Sequence, residues 1–591
     1  MTLLSFPLDS TAIVRKKKSL RRDLLRRQDT RQSKRIAILG GSTTHEITKV
    51  WELFLLDSGI EPQFFESEYN QFYEDALFSK ELEHFNPDLI YIHTTQHNLQ
   101  FPPSLKHSEE DIAKNLLSEF QRFESIWSSL AKYDCPIIQN NFDLPTSRSL
   151  GNLDCYDFRG RSLFINKLNL EFAEAARSTS NLYLNDINYL SSYLGLKRWF
   201  DETLWYQAKY AVSLDAIPYL THNLNNIACS VWGLTKKCLV LDLDNTCWGG
   251  VIGDDGLDGI SIGSETAIAE SYSDFQKYAK ELNERGITLA VCSKNDQRNA
   301  ESGFTHPDSV LKLSDFVSFK ANWKPKNLNI EEIAQEVNIG LDSLVFVDDN
   351  PAERDLVLSQ LPSVSVPNVG SDVIDFRTHL DRGGFFEPTT LSKDDIQRNK
   401  YYAANSARIN EQAQFSSYDD FLTSLQMTAE ICHFKTIYFE RIAQLINKTN
   451  QFNLTTTRMT LGEVTNASES PNFVTLYGKL TDKYGENGLV SVVIASLTGN
   501  RCHIQTWLMS CRVLKRNMEN AMMDSLVERC RQKNIKEIIG YYYKTKKNSM
   551  VADFYKNFGF ALTDKNNEDT VWKLNIDSYE NMNQHIGVTL E

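Results

Sequence analysis

Three apolar runs in the middle of the chain each stop at a polar, mostly acidic end: KCLVLDLD (residues 237–244), GITLAVCSKN (286–295) and SLVFVDDNP (343–351). Short apolar runs bounded by turn-forming residues read as strands buried on both faces. Helix-like sequence separates each run from the next, which makes the sheet parallel and doubly wound. Ligands of such sheets gather at the carboxyl ends of the strands, so the acidic ends are expected to converge on one site. Carboxylates that close are costly unless a proton or a cation neutralises them. The pattern therefore points to a cation and to an anionic substrate.

Four polar elements follow in order: Asp242-x-Asp244-x-Thr246, Ser293 after the second strand, Lys326 at the start of a helix, and Asp348-Asp349 after the third strand. Together they suit phosphoryl chemistry. One carboxylate can attack phosphorus while the second, two residues on, gives and takes a proton. A hydroxyl and an ammonium can hold the phosphoryl oxygens where charge develops. A further carboxylate completes an all-oxygen sphere for a hard cation, Mg2+ being the expected one. Lys324, in NWKPKNLNI, rivals Lys326 for the ammonium role. Ser293 follows Asp242 by only 51 residues, too few for a separate cap domain besides the crossover helix. A short flap, CWGGVIGDDGLDGISIG, is therefore expected over the site. Such light cover suits a macromolecular or tethered substrate better than a free metabolite.

At 591 residues the chain exceeds one core, and about three or four domains are expected. The expected divisions are a basic helix over 1–35, an α/β domain over 36–230, the central domain over 231–390, and a linker helix with a last α/β domain over 391–591. The linker begins with EPTTLSKDDIQRNKYY. The basic segment from Arg15 to Arg35 has Leu20, Leu24 and Leu25 at helical spacing. It reads first as a solvated helix packed on the next domain, and second as a docking arm for an acidic partner. The net charge of −14 argues against nucleic acid as the main partner. No apolar run reaches membrane-spanning length, and the polar sequence after the basic run is unlike a signal peptide. Ten scattered cysteines without C-x-x-C pairs read as free thiols of a cytoplasmic protein.

The four-element set resembles the haloacid dehalogenase (HAD) phosphatase superfamily. The resemblance makes Asp242 the nucleophile and a metal ligand, and Asp244 the acid/base whose carbonyl also meets the metal. Thr246, Ser293, Lys294, Asn295 and Lys326 would bind the substrate phosphate. Asp349 is the first choice for the remaining metal ligand, with Asp348 close behind. WGGVIGDDG, LAVCSKND and VFVDDNPAER narrow the likeness to the FkbH-like (HAD class IIIC) proteins. DETLWYQAKYAVS, QLINKTNQFNLTTTR, YGENGLVSVVI and WLMSCRVLKRNMENAMM extend it over nearly the whole chain. That likeness implies a Mg2+-dependent enzyme that takes a glyceryl or phosphoglyceryl unit from 1,3-bisphosphoglycerate, removes phosphate, and loads the unit as a thioester on an acyl carrier protein for polyketide-type biosynthesis. Alternative readings are a phosphatase of a small phosphorylated metabolite and a non-enzymatic carrier-protein scaffold.

A protein thiol could carry the acyl group between donor and carrier. Cys247, in the flap beside the carboxylates, is the candidate; Cys292 has apolar neighbours and reads as a buried strand thiol. Glyceryl-transferring members of the family carry their flap cysteine further along, where this chain has Ile252. The resemblance thus leaves three options: Cys247 substitutes, transfer is direct, or phosphate is only hydrolysed.

Gly40 to Thr44 (GGSTT), after a first strand, resembles the nucleophile block of SGNH-type esterases. The late Asp-x-x-His pair of those enzymes is replaced by DETLWY, so a degenerate domain is expected, with His93 and His97 the only stand-ins. The C-terminal segment resembles a GNAT acetyltransferase through HIQTWLMS, MENAMMDSLVERC and FYKNFGF. Its loop, Arg512-Val513-Leu514-Lys515-Arg516-Asn517, lacks the glycines that let backbone amides approach a pyrophosphate. Pantetheine or carrier docking is expected there rather than acetyl transfer, with a structural domain the equal alternative. Asn450-Gln451-Phe452-Asn453 is expected to line the cleft of that domain. The expected fold class is thus α/β multidomain: a capless HAD-like Rossmannoid parallel sheet between an SGNH-like and a GNAT-like domain.

Overall fold

A computed structural model describes residues 3–27, 31–391, 401, 408, 411–412, 414–449, 451–510, 513–545 and 548–589. Most of the expected linker helix, Arg512 and Asn450 lie outside these. The chain divides into two units, Met1–Val231 and Trp232–Glu591. Among the described residues no helix is long and apolar enough to cross a membrane.

In the first unit, the basic helix Ser10–Arg26 is capped by Asp9, whose side chain accepts from Ala12 N. Its apolar residues Ala12, Ile13 and Leu24 are buried. Its cations pair with carboxylates of helix His45–Asp57: Lys17 with Glu46, Arg21 with Glu52 at 2.8 Å, and Arg27 with Asp57 at 2.7 Å. The packed-helix reading is the one observed, with Leu25 left exposed. Five parallel strands follow: β1 (Gln32–Gly40), β2 (Ile60–Glu66), β3 (Leu89–His93), β4 (Ile137–Asn140) and β5 (Leu182–Asn185), in the order β2-β1-β3-β4-β5. β5 is short, and its four residues offer too little alternation to stand out in the sequence.

The second unit begins with β6 (Cys238–Leu241), β7 (Thr288–Ser293), β8 (Phe316–Ala321) and β9 (Leu344–Val347), all parallel, in the order β8-β7-β6-β9. Successive side chains leave opposite faces of a strand. Leu239 and Leu241 of β6 join one core with Val291 and Val345, while Cys238 and Val240 join another with Ala290, Cys292 and Phe346. Each fully buried Leu, Val or Phe contributes about 1.5–3 kcal/mol relative to exposure, so two filled faces hold the strand ends in a fixed register. β8, FVSFKA, is the strand that the apolar-run pattern misses, since much of it is only half-buried.

The remaining strands form one mixed sheet, β15-β16-β14-β13-β12-β11-β10-β17. They are β10 (Met427–Cys432), β11 (Phe473–Asp482), β12 (Gly485–Thr498), β13 (Arg501–Met509), β14 (Glu537–Tyr542), β15 (Ala561–Asn566), β16 (Asp569–Asn575) and β17 (Ile586–Thr589). The neighbours β13 and β14 are parallel, but pair only from Arg501–Glu537 to Ile504–Gly540 and then diverge. Phe452, one of the residues expected to line a cleft there, and Leu454 occupy the gap as backbone. Leu454 N donates to Trp507 O, Met509 N to Phe452 O, and Tyr543 N to Leu454 O, each at 2.9–3.0 Å. Asn548 Nδ2 secures the insert by donating to Asn453 O.

Candidate functional site

The ends of β7 and β9 flank that of β6, with Leu241 level with Val291 and Val347. Asp242 N continues the ladder by donating to Val347 O at 3.0 Å. The sheet thus delivers Asp242 beside the Asp348-Asp349 turn, and carboxylate oxygens of all three lie within 4.8 Å of one another. Lys326 opens helix Lys326–Val337 and reaches under them. Its Nζ is 2.5 Å from Asp348 Oδ2 and 2.9 Å from Asp242 Oδ1, with the side chain 3% exposed. The contact with Asp242 is one of charge: Asp242 Oδ1 is buried and accepts no hydrogen bond.

These groups set one another's charge. Burial and then the charge of Asp242 push Asp348 up to about 7, with Lys326 opposing. Burial and Asp242 likewise raise Asp349. Burial disfavours the Lys326 ammonium, but Asp242 and Asp348 outweigh it and hold the lysine charged, above its ordinary range. One buried cation among three carboxylates leaves an excess of negative charge, which is the condition for taking up a further cation.

Asp244 stands apart and is held by the flap. Its Oδ1 accepts from Trp248 Nε1 at 2.9 Å and from Ile252 N at 3.1 Å, and its Oδ2 from Asn295 Nδ2 at 2.9 Å. Burial raises its pKa, Asp242 adds to the rise, and the bonds from Ile252 and Trp248 partly offset it. A carboxyl with a raised pKa suits proton donation near neutrality. Trp248 is fully buried and seated over Gly303, where an added Cβ would come within 2.6 Å of the indole. The turn itself needs Asn245 at φ 55° and Gly250 at φ 93°, left-handed conformations that these residue types tolerate best.

The structure brings Asp242, Asp348, Asp349 and Lys326 together, and sets Thr246 and Ser293 at the same strand ends. Thr246 Oγ1 accepts from Asp349 N at 3.2 Å, so it also joins the two acidic turns. Ser293 ends β7 and is buried. Asn295 donates through Nδ2 to Asp244 Oδ2 at 2.9 Å. Lys294 pairs with Glu353 at 2.6 Å. Lys324 turns away to Glu332 at 2.9 Å, leaving the ammonium role to Lys326. Cys247, expected as a catalytic thiol, is fully enclosed in the core, and its Sγ donates to Asp242 O at 3.2 Å. Burial, then Asp242 and Asp244, raise its pKa well above the ordinary thiol range. Enclosed, and with its thiolate disfavoured, it lacks the exposure and the lowered pKa of an activated thiol. Cys292 is buried too, in keeping with a strand thiol.

Sequence reasoning missed the residues that orient this set. Buried Arg354 donates through Nη1 to Asp348 O and Asp349 O, both at 2.7 Å, and fixes the acidic turn. Gln276 Nε2 donates to Cys247 O, while its Oε1 accepts from Val310 N and Leu311 N, tying down the root of the flap. Trp248 and Arg354 lie inside WGGVIGDDG and VFVDDNPAER, but no spacing rule gives a tryptophan or an arginine a partner.

The other two candidate sites are differently furnished. Ser42 Oγ is buried without a hydrogen bond, as is His93 Nε2, while His93 Nδ1 faces Tyr91 Oη and Asn140 Nδ2. His97 is stacked on Trp205 and Phe200, and burial lowers it to about 4. Asp201 caps helix Glu202–Ala208. Neither histidine is hydrogen-bonded to Ser42, so no Ser-His pair is assembled among the described residues. In the C-terminal sheet, Arg516 donates to Asp482 Oδ2 and Asn487 Oδ1, both at 3.1 Å, and is buried. It is committed within the fold.

A family model described as the FkbH N-terminal domain matches residues 35–229. Among solved structures, the chain is similar to the N-terminal part of protein BF1531 from Bacteroides fragilis, described as containing a phosphatase domain and complexed with Mg. The identity is 31%, over 63% of this chain and 99% of that one, with a TM-score of 0.58. It also matches the ribosomal-protein-S18-alanine N-acetyltransferase of Escherichia coli at 8% identity, over 25% of this chain and 94% of that one, with a TM-score of 0.21. The PaiA N-acetyltransferase of Thermoplasma acidophilum, in complex with coenzyme A, matches at 12% identity over 25% and 99%, with a TM-score of 0.20. No curated protein matches the chain.

Proposed function

Because the chain belongs to the FkbH-like proteins, enzymes of the HAD phosphatase type, we propose that it takes a glyceryl unit from 1,3-bisphosphoglycerate, with loss of phosphate, and loads it on the phosphopantetheine thiol of an acyl carrier protein. The central domain, residues 231–390, would carry the chemistry, within a cytoplasmic protein of polyketide-type biosynthesis. The observation that carries this reading is the three-carboxylate cluster around a buried ammonium at the ends of β6 and β9. The nine described cysteines are all free, which favours a reducing compartment.

The donor set fits Mg2+. All its atoms are oxygens, one of them, Asp242 Oδ1, is buried and lacks a hydrogen bond, and the cluster carries excess negative charge. Asp242, Asp348 and Asp349 would hold the ion, with the Asp244 carbonyl. When bound, Mg2+ supplies charge stabilisation at the phosphoryl oxygens.

Asp242 would attack the phosphate ester: its oxygen forms the new P–O bond while the bond to the leaving oxygen breaks. Asp244, whose pKa burial raises, would give that oxygen its proton. It then takes a proton from the water that hydrolyses the aspartyl phosphate. Lys326 and Ser293 would hold the phosphoryl oxygens throughout. At the acyl phosphate, the carrier thiolate adds to the carbonyl carbon. The C–S bond forms as the C–O bond breaks, and phosphate leaves with the electron pair. The enclosure of Cys247 favours direct transfer to the carrier thiol.

Purified protein, Mg2+, 1,3-bisphosphoglycerate and a holo carrier should yield a glyceryl mass on the pantetheine arm. No mass shift across a panel of carriers, the cognate one included, would sink the transfer. Asp242→Asn should lose phosphate release while remaining folded; retained release would remove Asp242 from its role.

A further inference from the structure

Lys294 and Glu353 come from different loops. Lys294 follows Ser293 at the end of β7, and Glu353 lies in the first turn of helix Pro351–Gln360, after β9. β7 and β9 flank β6. An ion pair between these loops, 2.6 Å from Nζ to Oε1, therefore spans the end of the strand that delivers Asp242.

The two partners are held very differently. Glu353 is fixed, because Asn350 caps its helix by accepting from Ala352 N, Pro351 presets the first turn, and neighbouring Arg354 is bonded to the carbonyls of Asp348 and Asp349. Its side chain is 15% exposed, and its second oxygen, Oε2, is buried without a hydrogen bond. The Lys294 side chain is 38% exposed. An ammonium has three protons to donate, and the pair with Glu353 uses one. Glu353 also shares the charge environment of the catalytic carboxylates: burial dominates at the Cys292 thiol and raises it, Lys326 opposes, and Asp242, Asp348 and Glu353 each push it up.

We propose that Lys294 recognises a second anionic group of the substrate, and that Glu353 is the positioning residue that holds Lys294 across the mouth of the site. The proposal rests on the phosphoryl reading of the site and adds to it the residues that would select phosphorylated compounds with a second anionic group a few bonds from the reacting phosphorus. Phosphates without a second anionic group fill the centre but leave the remaining protons of Lys294 to water. Discrimination then comes from a charge-assisted hydrogen bond that only the larger anion can accept.

The test compares binding of 3-phosphoglycerate with that of glycerol 3-phosphate, which has the same carbon chain without the carboxylate, by calorimetry in Mg2+. The wild type should prefer 3-phosphoglycerate. Lys294→Met should cut that preference by about tenfold, the scale of one charge-assisted hydrogen bond. Glu353→Gln should cut it in the same direction, and should have no further effect on it in the Lys294→Met background. A purely structural Glu353 would weaken both ligands equally and leave their ratio alone. Equal wild-type affinities, an unchanged ratio in Lys294→Met, or an effect of Glu353→Gln that survives in the double variant would each overturn the proposal. Since binding is read without turnover, failure here is separable from failure of Asp242→Asn to abolish phosphate release.

Discussion

Replacing Lys326 by Met tests the site at its base. The side chain is 3% exposed, and its ammonium lies 2.5 Å from Asp348 and 2.9 Å from Asp242. Methionine keeps the length and the apolar stem but removes the charge, leaving three carboxylates within 4.8 Å without a protein cation. Removing one partner of a buried ion pair costs about 3–5 kcal/mol. Protonation of the carboxylates limits the loss, and a unit of this size should melt roughly 5 °C lower in EDTA. Mg2+ must act the other way. The ammonium competes with the metal for the same oxygens, so Lys326→Met should bind Mg2+ more tightly and recover more of its Tm on adding it than the wild type does. Phosphate release should still fall by about 10²-fold or more, because the ammonium also faces the charge that develops in transfer. Thermal melts across a Mg2+ titration, with a phosphate-release assay, give all three readouts. An unchanged Tm in EDTA, or a smaller Mg2+ stabilisation than in the wild type, would refute the reasoning.

Protonation gives a further test, because Asp348 is pushed up to about 7 and Asp244 and Asp349 are also raised. The metal-free folded protein then binds more protons here than the unfolded chain. The stability Asp348 contributes is full below the unfolded carboxylate range, about 4, and is lost as pH rises through about 7, with Asp244 and Asp349 acting in the same direction. Mg2+ displaces those protons, so the Tm difference between Mg2+ and EDTA should widen from pH 6 to pH 8; a flat difference would contradict the assignment. Trp248→Phe removes one donor to Asp244 Oδ1 while keeping an aromatic ring over Gly303. It should lower kcat about 3–10-fold and move the Asp244 limb of the pH–rate profile upward, since the anion loses support. Cys247→Ser should retain phosphate release within about twofold, as expected of an enclosed neutral thiol, and iodoacetamide should not inhibit the folded protein. A far larger loss at unchanged Tm would return Cys247 to the chemistry.

The central sheet was legible because its strands are buried on both faces. Leu239 and Val240 serve different cores, so both must be apolar, and the runs stand out from their surroundings. β8 did not stand out, because a half-buried position accepts Lys320 and a buried one holds the polar Ser318. The basic helix was legible in kind, and its partners on helix His45–Asp57 were not, since ion pairs between distant segments leave no spacing signal. Asn450 to Asn453 read as a cleft lining, whereas Phe452 to Leu454 fill the β13–β14 gap through backbone bonds that side-chain identity does not encode.

The same division holds at the site. Asp242, Asp244, Lys326, Asp348 and Asp349 were named by the sequence, because parallel strands must end on one edge and carboxylates there demand a cation. Tertiary structure decided what each one touches. It chose Lys326 over Lys324, which bonds Glu332; it gave Asn295 to Asp244 and Lys294 to Glu353; and it closed the core around Cys247. Residue type fixes which charges a chain can offer at a strand end. Packing and the directions of side chains across loops fix which of them face the substrate, which brace their neighbours, and which are sealed away from both.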